Sequence, residues 1–287
     1  MAIIVNQNTR VLIQGITGTV GRDYAERMLK HGTPLVAGVT PGKGGQNVFG
    51  VPVYNSVEDA VLEKKVDCSL VVVPAPFVKD AALEAIDAGV KTVVIYTEGV
   101  PVHDATYLVQ YSRLKGTRII GPNSAGVISP GKCNVSDIND EFVKAGSIGI
   151  VSKSGTMTYE VMNGIFQYGL GVSTVACLGG DPIIGTRHVD ILKLFEKDNE
   201  TEAVILLGEI GGTDEVEAAK YIKSMSKPVF AYIAGWAAPP GKRMGHAGAI
   251  IAGEKDTALY KLNALREAGA FTSKTIKELV KTISDNL

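Results

Sequence analysis

Short apolar runs alternate with amphipathic segments along the whole chain. Runs of this length are typical of strands buried on both faces of a sheet, and the segments between them have helical spacing. The alternation predicts βα units, which build parallel sheets covered by helices. The predicted strands of the first half are 10–14, 34–39, 51–54, 68–73, 92–96 and 118–120, and the predicted helices are 20–30, 57–65, 77–88 and 104–115.

The second half repeats the pattern after an interruption. The predicted strands are 148–152, 172–178, 203–207 and 229–234, and the predicted helices are 156–167, 187–197, 213–224, 255–268 and 273–284. Residues 127–146 have no helical period and are predicted to connect two domains. We therefore expect an α/β protein: a Rossmann-like domain over 1–125 and a flavodoxin-like α/β domain over 126–287, since 287 residues suit about two domains.

Composition excludes several classes of function. A net charge of −1 provides no overall basic field for nucleic acid or an anionic membrane. No apolar run approaches the roughly 18 residues of a membrane-spanning helix, and the N-terminus has no signal-peptide pattern. The cysteines, Cys68, Cys133 and Cys177, form neither a disulfide framework nor a metal-binding pattern, and Cys68 and Cys177 lie in apolar runs. We expect a cytoplasmic or mature mitochondrial protein with buried thiols, no metal site, and no nucleic-acid or membrane partner.

The turn after the first predicted strand favours an anion site. Its glycines follow the spacing G-x-x-G-x-x-G over residues 15–21, and a helix starts within it, so free N–H groups can meet a phosphate. The candidate residues are Gly15, Thr17, Gly18, Thr19 and Val20. A plain tight turn between strand and helix would have the same composition.

Lys43 follows the second strand, at the point where an NAD site would have an acidic residue for the ribose hydroxyls. A lysine there would suit the 2′-phosphate of NADP or the 3′-phosphate of coenzyme A; a solvated loop lysine is the alternative. Two later strand ends place polar groups and prolines along the same edge, where an extended ligand would lie. They contribute Pro74, Tyr96, Thr97 and Glu98.

A second set of candidate residues comes from the turns of the second half. Ser154, Gly155 and Thr156 begin a predicted helix, where free N–H groups and the helix dipole would hold a phosphate. An ordinary Ser/Thr N-cap is the alternative. Glu209 directly follows a predicted strand, where its carboxylate could reach the loop after the next strand or cap the following helix.

That loop, residues 239–250, carries His246 between glycines and next to Lys242 and Arg243. Small neighbours allow close approach to the ring, and a basic pocket suits phosphate. A carboxylate on one ring nitrogen would leave the other free to attack phosphorus. An exposed surface histidine is the alternative. The other histidines, His31, His103 and His188, lack such neighbours and are predicted to be surface or capping residues.

The run Gly245-His246-Ala247-Gly248-Ala249 resembles the phosphohistidine loop of the α subunit of succinate–CoA ligase (succinyl-CoA synthetase). Other stretches resemble the family's motifs in the same order: Gly15-Ile16-Thr17-Gly18, Thr97-Glu98-Gly99, Gly121-Pro122-Asn123, residues 152–160, and Gly208-Glu209-Ile210-Gly211-Gly212. The resemblance covers essentially the entire chain. One departure is Ser124-Ala125, where many members have Cys-Pro.

The resemblance implies a reversible reaction: succinyl-CoA, phosphate and a nucleoside diphosphate give succinate, CoA and the triphosphate, through succinyl phosphate and a phosphohistidine at His246. It implies a β subunit that carries Mg²⁺ and the nucleotide, ADP or GDP, in an αβ or α2β2 assembly. By motif, Glu209 would orient the ring, and Asn123 and Tyr159 would lie at the acyl site. Ser154, Gly155 and Thr156 would bind phosphate, and CoA would contact Gly15, Thr17 to Val20, Lys43, Pro74 and Tyr96 to Glu98.

Other hypotheses remain at this point. The same ligase chemistry could act on another acid, such as malate. From a different class, an NADP-binding oxidoreductase or a non-catalytic CoA-binding regulator would also suit the first domain. Neither explains a second domain whose turns converge on Gly-His-Ala-Gly.

Overall fold

The computed structural model describes residues 2–287, which form two seven-stranded sheets with helices packed around them. Within this range the strands are β1 (Val11–Gln14), β2 (Leu35–Val39), β3 (Asn47–Val48), β4 (Val51–Tyr54), β5 (Cys68–Val71), β6 (Thr92–Ile95), β7 (Arg118–Ile120), β8 (Gly126–Ser129), β9 (Cys133–Ser136), β10 (Ala145–Ser152), β11 (Val172–Cys177), β12 (Ala203–Glu209), β13 (Val229–Ala234) and β14 (Phe271–Ser273). The α helices in the same range are α1 (Thr19–Lys30), α2 (Val57–Glu63), α3 (Val78–Asp87), α4 (Val102–Lys115), α5 (Gly155–Gln167), α6 (His188–Lys197), α7 (Asp214–Ile222), α8 (Ala258–Glu267) and α9 (Ile276–Asn286).

The first sheet has the order β3-β4-β2-β1-β5-β6-β7. Only the edge pair β3–β4 is antiparallel among its described pairs; the other strands pair in parallel. Numbered along the chain, the parallel strands run 3-2-1-4-5-6, which is the Rossmann order. The strand order therefore reverses at β1, and a crevice opens beyond the carboxyl ends of β1 and β5. The Rossmann-like prediction is confirmed.

The second sheet has the order β14-β13-β12-β10-β11-β8-β9. Its parallel strands, numbered along the chain, run 2-1-3-4-5 from β11 to β14, the flavodoxin order. The order reverses between β10 and β12, so a ligand of this sheet is expected beyond the ends of those two strands. The flavodoxin-like prediction is also confirmed.

The prediction that residues 127–146 merely connect domains is wrong. β8 and β9 form a hairpin in this stretch, and β8 adds to β11 in antiparallel pairing. The strands escape recognition because buried polar side chains interrupt their apolar pattern. Asn134 and Ser136 are buried, and Asn134 Oδ1 accepts the Ser136 backbone N–H at 2.9 Å. Such hydrogen bonds make polar residues acceptable inside the sheet.

Short edge strands and helix ends account for the other differences. β3 and β14 are too short to give a periodic pattern. The helix predicted over 255–268 is divided: a 3₁₀ turn covers Glu254–Asp256, and α8 begins after Thr257, whose side chain accepts the Tyr260 N–H. The helix predicted from residue 273 begins at Ile276, after the N-cap Thr275.

The three cysteines are all buried and free of disulfides. This confirms the expectation for Cys68 and Cys177. Burial raises the pKa of the Cys133 and Cys177 thiols to about 12 and that of Cys68 well above its ordinary value. All three side chains are therefore neutral packing groups at physiological pH.

Backbone hydrogen bonds join the carboxyl edges of the two sheets. Gly121 N donates to Leu178 O at 3.1 Å, and Gly185 N donates to Gly121 O at 2.9 Å. Asn123 completes the junction: its N–H donates to Thr97 O at 2.9 Å, and its carbonyl accepts from Gly180 N at 3.1 Å. The strand ends of both domains therefore face a common region. None of the helices described is both long and apolar enough to cross a bilayer.

Candidate active site

The site lies where the strand order of the second sheet reverses. β10 ends at Ser152, and α5 begins three residues later at Gly155. β12 ends at Glu209, and β13, its neighbour, leads into the loop that carries His246. Because β10, β12 and β13 are parallel, these three chain segments leave the sheet at the same edge.

His246 and Glu209 are in direct contact. His246 Nδ1 lies 2.7 Å from Glu209 Oε2, with the glutamate side chain 8% exposed and the histidine 28%. The hydrogen bond to Glu209 raises the pKa of His246, although burial opposes the shift. A carboxylate acceptor places the ring proton on Nδ1. Nε2 has no hydrogen-bond partner among residues 2–287, so it is the nitrogen left for covalent chemistry.

The imidazole also rests on the backbone of Gly180. A Cβ at this position would lie 2.3 Å from the ring Cγ, which is too close for any residue other than glycine. The Gly180 carbonyl accepts the Gly248 N–H at 3.0 Å, which ties the histidine loop to the turn after β11. The ring is therefore fixed between a carboxylate and a bare peptide group.

The N-terminus of α5 lines the same cavity as His246, a space of about 470 Å³. Ser154 is the N-cap, and its side chain accepts the Met157 N–H at 3.4 Å. The hydrogen bonds of the described residues leave the N–H groups of Gly155 and Thr156 without acceptors. Free N–H groups at the positive end of a helix bind phosphate. The cavity thus brings the imidazole of His246 together with free N–H groups at a helix N-terminus.

Most of the residues predicted from the second domain meet in this cavity, together with three from the first. Its lining includes Tyr96, Glu98, Asn123, Ser154, Gly155, Thr156, Tyr159 and His246. The Tyr159 hydroxyl accepts the Asn139 N–H at 3.0 Å and donates to Asp137 O at 3.1 Å. Both contacts are on the backbone after the β8–β9 hairpin, so the hydroxyl is already engaged.

A second cleft, of about 610 Å³, opens at the reversal point of the first sheet. Of the predicted residues it is lined by Gly15, Thr17, Gly18 and Pro74. The glycine spacing is explained by close packing, because a Cβ on Gly21 of α1 would lie 2.2 Å from Gly15 O. Helix α1 therefore starts directly against the turn and aims its N-terminus at the cleft.

The remaining predicted residues lie outside the lining of this cleft as far as the described residues define it. Thr19 and Val20 are exposed at the start of α1, and Lys43 is exposed in the loop after β2, beyond Thr40 and Pro41, which do line the cleft. Thr97 instead supports the cleft wall: its hydroxyl donates to Val73 O at 2.7 Å.

Sequence reasoning missed several charged residues at the site. Lys153 and Asp137 line the cavity with His246. Asp181 follows Gly180; burial raises its pKa, and a hydrogen bond from Asn123 acts in the opposite direction. Lys153 lies in the stretch 152–160 that the sequence analysis singled out, and Asp181 lies in the glycine-rich turn after β11. Their charge within those turns is the signal that could have identified them.

The prediction that His188 is a surface or capping residue is wrong. The side chain is fully buried, and its Nδ1 lies 2.5 Å from Asp214 Oδ2. Burial alone would raise the pKa of Asp214, but the charge and hydrogen bond of His188 hold it well below the ordinary value. His188 opens α6, which packs against α7, so the ring points into the interface of those helices.

Comparison with known proteins decides between the functional hypotheses. A family profile described as CoA binding domain matches residues 6–99, and one described as CoA-ligase matches residues 151–271. The succinate–CoA ligase [ADP-forming] α subunit 2 of Archaeoglobus fulgidus is 54% identical, with 100% of both chains aligned. The corresponding α subunit of Aquifex aeolicus is 52% identical over 99% of this chain and 94% of its own. The chain belongs to the succinate–CoA ligase α-subunit family.

Solved structures of other enzymes share the fold of this chain. The ATP citrate lyase of Methanothrix soehngenii, in complex with citrate and coenzyme A, superposes with a TM-score of 0.90 at 25% identity. The match covers 99% of this chain, which spans about half, 50%, of the lyase chain. A dinucleotide forming acetyl-coenzyme A synthetase of Ca. Korarchaeum cryptofilum shares the fold, with a TM-score of 0.77 at 21% identity over 98% of this chain and 62% of its own. Membership of the family favours a CoA ligase over an NADP-binding oxidoreductase.

Proposed function

We propose that this chain is the CoA-binding and phosphoryl-carrying subunit of an ADP-forming succinate–CoA ligase. The observation that carries the proposal is the contact between His246 Nδ1 and Glu209 Oε2 beside the free N-terminus of α5. Succinate and ADP come from the names of the relatives, which share about half of their residues with this chain over its full length. Malate is the less favoured acid, because these relatives are named for succinate.

The reaction proceeds in three substitutions. An oxygen of inorganic phosphate attacks the thioester carbonyl of succinyl-CoA, the C–S bond breaks, and CoA leaves as the thiolate. His246 Nε2 then attacks the phosphorus of succinyl phosphate, and the P–O bond to the succinate carboxylate breaks. Finally a terminal oxygen of ADP attacks the same phosphorus, the P–N bond breaks, and neutral His246 is restored with ATP as product.

Glu209 serves the two steps at His246. When Nε2 bonds to phosphorus, the imidazole ring gains positive charge while Nδ1 keeps its proton. The Glu209 carboxylate stabilises this charge through the 2.7 Å hydrogen bond and keeps the ring in one tautomer. Because the contact is already formed, no reorganisation is needed as the charge develops.

The N-terminus of α5 balances the opposite charge. A transferring phosphoryl group carries negative charge on its outer oxygens, and the N–H groups of Gly155 and Thr156 line the cavity in which it would lie. Lys153 adds a positive side chain to the same wall. We assign these groups to phosphate binding.

Coenzyme A would lie in the cleft of the first domain. After the turn at Gly15, the N–H groups of Thr19 and Val20 at the start of α1 have no acceptor among the described residues, and Val72, Val73 and Pro74 supply an apolar wall. This combination suits a ligand with both phosphates and a long uncharged arm. Thr19, Val20 and Lys43, exposed at its mouth, are proposed to meet the phosphates of the nucleotide portion.

The thioester end would reach the cavity of His246 along the junction of the two domains. Tyr96, Thr97 and Glu98 follow β6 on this route, and Asn123 and Tyr159 are proposed for the acyl group. The domain boundary is proposed near residue 125, between β7 and β8, because the two sheets divide there.

The nucleotide and Mg²⁺ are assigned to a β subunit, in an αβ or α2β2 assembly. Of the two sheets described, the first is assigned to CoA and the second carries the histidine loop. Among residues 2–287 no group of three or more His, Cys, Asp or Glu side chains is placed to hold a metal ion.

Labelling from γ-labelled ATP tests the proposal in the purified complex with its β subunit. We expect an acid-labile, base-stable phosphoryl label on the wild-type chain and none on His246→Asn, with CoA binding nearly unchanged in that variant. Glu209→Gln should fold normally but label on the order of 10²–10³ times more slowly, a loss of about 3–4 kcal/mol, because an amide cannot balance the ring charge.

Two outcomes contradict this. A labelled His246→Asn chain would exclude the phosphohistidine. A Glu209→Gln chain of normal melting temperature that labels at the wild-type rate would exclude the role of Glu209.

A further inference from the structure

A fully buried ion pair lies behind the strand end that carries Glu209. Glu215 of α7 and Lys261 of α8 are both 0% exposed, and Lys261 Nζ contacts Glu215 Oε2. The two helices pack against each other, and neither side chain lines the cavity of His246. The pair therefore touches no substrate.

Both members of the pair bind the backbone of Glu209. Glu215 Oε1 accepts the Glu209 N–H at 3.2 Å, and Lys261 Nζ donates to Glu209 O at 2.7 Å. Lys261 also donates to Gly211 O at 2.6 Å. An ammonium group has three protons, and all three are used here. The peptide groups on either side of Glu209 are thus held by side chains of α7 and α8 that lie outside the lining of the cavity.

The position of this backbone controls the position of the catalytic carboxylate. β12 makes its last pairing with β13 at Glu209, and Ile210 N still donates to Ala234 O of β13 at 3.2 Å, so the pair acts on the last peptide groups of the strand. Within the side chain, Oε2 contacts His246, whereas the buried Oε1 has no hydrogen-bond partner among the described residues. Among the described residues, the carboxylate is therefore hydrogen-bonded to His246 alone, and its direction depends on the backbone and the packing around it.

Burial of two charges is a costly way to stabilise a fold. Apolar residues of similar volume often stabilise a protein as well or better, so stability alone is a weak explanation of this pair. The carboxylate is nevertheless ionised. Burial alone would raise the pKa of Glu215, but the charges of Lys153 and Lys261 outweigh burial and lower it.

We propose that Glu215 and Lys261 are positioning residues for phosphoryl transfer: by fixing the peptide groups around Glu209 they aim its carboxylate at His246 Nδ1. The inference rests on the proposed function, since it assigns a role to residues that act through Glu209. A displacement of about 1 Å in a catalytic group can reduce a rate on the order of 100-fold.

The test uses the complex with its β subunit and the double variant Glu215→Gln/Lys261→Met, which removes both charges at similar volume. Leu108→Ala is the matched control, because it empties part of the buried core of the first domain without touching residues 209–211. We expect the double variant to label His246 about 10- to 100-fold more slowly than wild type with unchanged CoA affinity. The control should label at the normal rate per folded molecule.

A double-mutant cycle separates positioning from general destabilisation. If the pair acts through Glu209, adding the double substitution to Glu209→Gln should slow labelling little further, because the contact it serves is already lost. Equal losses in both backgrounds would overturn the inference. So would a folded double variant with the wild-type rate. If the double variant does not fold, Glu215→Asp provides the same comparison, because it keeps both charges but shortens the reach of the carboxylate to the Glu209 N–H.

These outcomes are distinct from a failure of the proposed function. Absence of any label on His246 of the wild-type chain would overturn the proposed function itself. A labelled wild type with an unaffected pair variant overturns only the role of Glu215 and Lys261.

Discussion

The protonation of His246 gives a test at the scale of one residue. The Glu209 hydrogen bond raises its pKa from an ordinary value of 6.5. Because neutral imidazole is the attacking form, we expect the labelling rate to rise with pH through this raised pKa and then level off. In Glu209→Gln the pKa should fall, so the rise should occur at lower pH, with a lower plateau.

Single-turnover labelling across neutral pH measures this profile, and an NMR titration of His246 measures the pKa directly. Glu217→Gln is the matched control, because Glu217 is an exposed carboxylate of α7 paired with Lys220. An unchanged His246 titration in Glu209→Gln would mean that the carboxylate does not act on the ring.

Lys43 tests how coenzyme A is oriented in its cleft. It is exposed two residues beyond Pro41, which lines the cleft, so it is available to a phosphate at the cleft mouth. We expect Lys43→Glu to weaken CoA binding on the order of tenfold, or about 1.4 kcal/mol, while dephospho-CoA is hardly affected. Calorimetry with both ligands provides the comparison. Equal losses for the two would remove the contact with the 3′-phosphate.

The functional residues at strand ends could be predicted from sequence, whereas the buried charged residues that contact those strand ends could not. Glu209 and His246 follow neighbouring parallel strands, and such strands share a carboxyl edge, so their contact follows from the fold class. Glu215 and Lys261 lie inside helices and look like ordinary charged positions of an exposed face. Only the packing of α7 on α8 reveals that both are buried.

At the scale of elements, parallel strands and long helices are the predictable part. β11, β12 and β13 are almost entirely buried. The starts of α8 and α9 were not predictable to the residue: each helix begins three residues later than expected, after the N-caps Thr257 and Thr275. The β8–β9 hairpin was not predictable from periodicity, because its inward positions include hydrogen-bonded Asn and Ser. This is significant for the site, since the backbone that follows the hairpin holds the Tyr159 hydroxyl.

At the scale of the molecule, strand order is decided by crossovers that no local pattern contains. Alternation predicts which segments are strands but not that β1 and β10 are the points of reversal, and those points are where both clefts lie. The contact between the domains could not be predicted either, because it depends on residues 121–125 bringing the carboxyl edges of the two sheets together.

We expect the chain to have no ligase activity without its β subunit. One of its sheets is proposed to bind CoA and the other carries His246, whereas the proposed nucleotide site is on another subunit. We expect the rigorously purified chain to bind CoA but to show no ligase turnover, and activity to appear when the β subunit is added. A coupled assay of both preparations checks this, and full turnover by the single chain would contradict it.

The burial of Cys68, Cys133 and Cys177 has a practical consequence. Thiol reagents attack the thiolate, and these three side chains are neither accessible nor ionised at neutral pH. The native chain should therefore react very slowly with maleimides. A cysteine introduced at an exposed site such as Leu114 would take a fluorophore selectively, without first removing the native ones. Subunit association could then be followed by anisotropy on an otherwise unaltered protein.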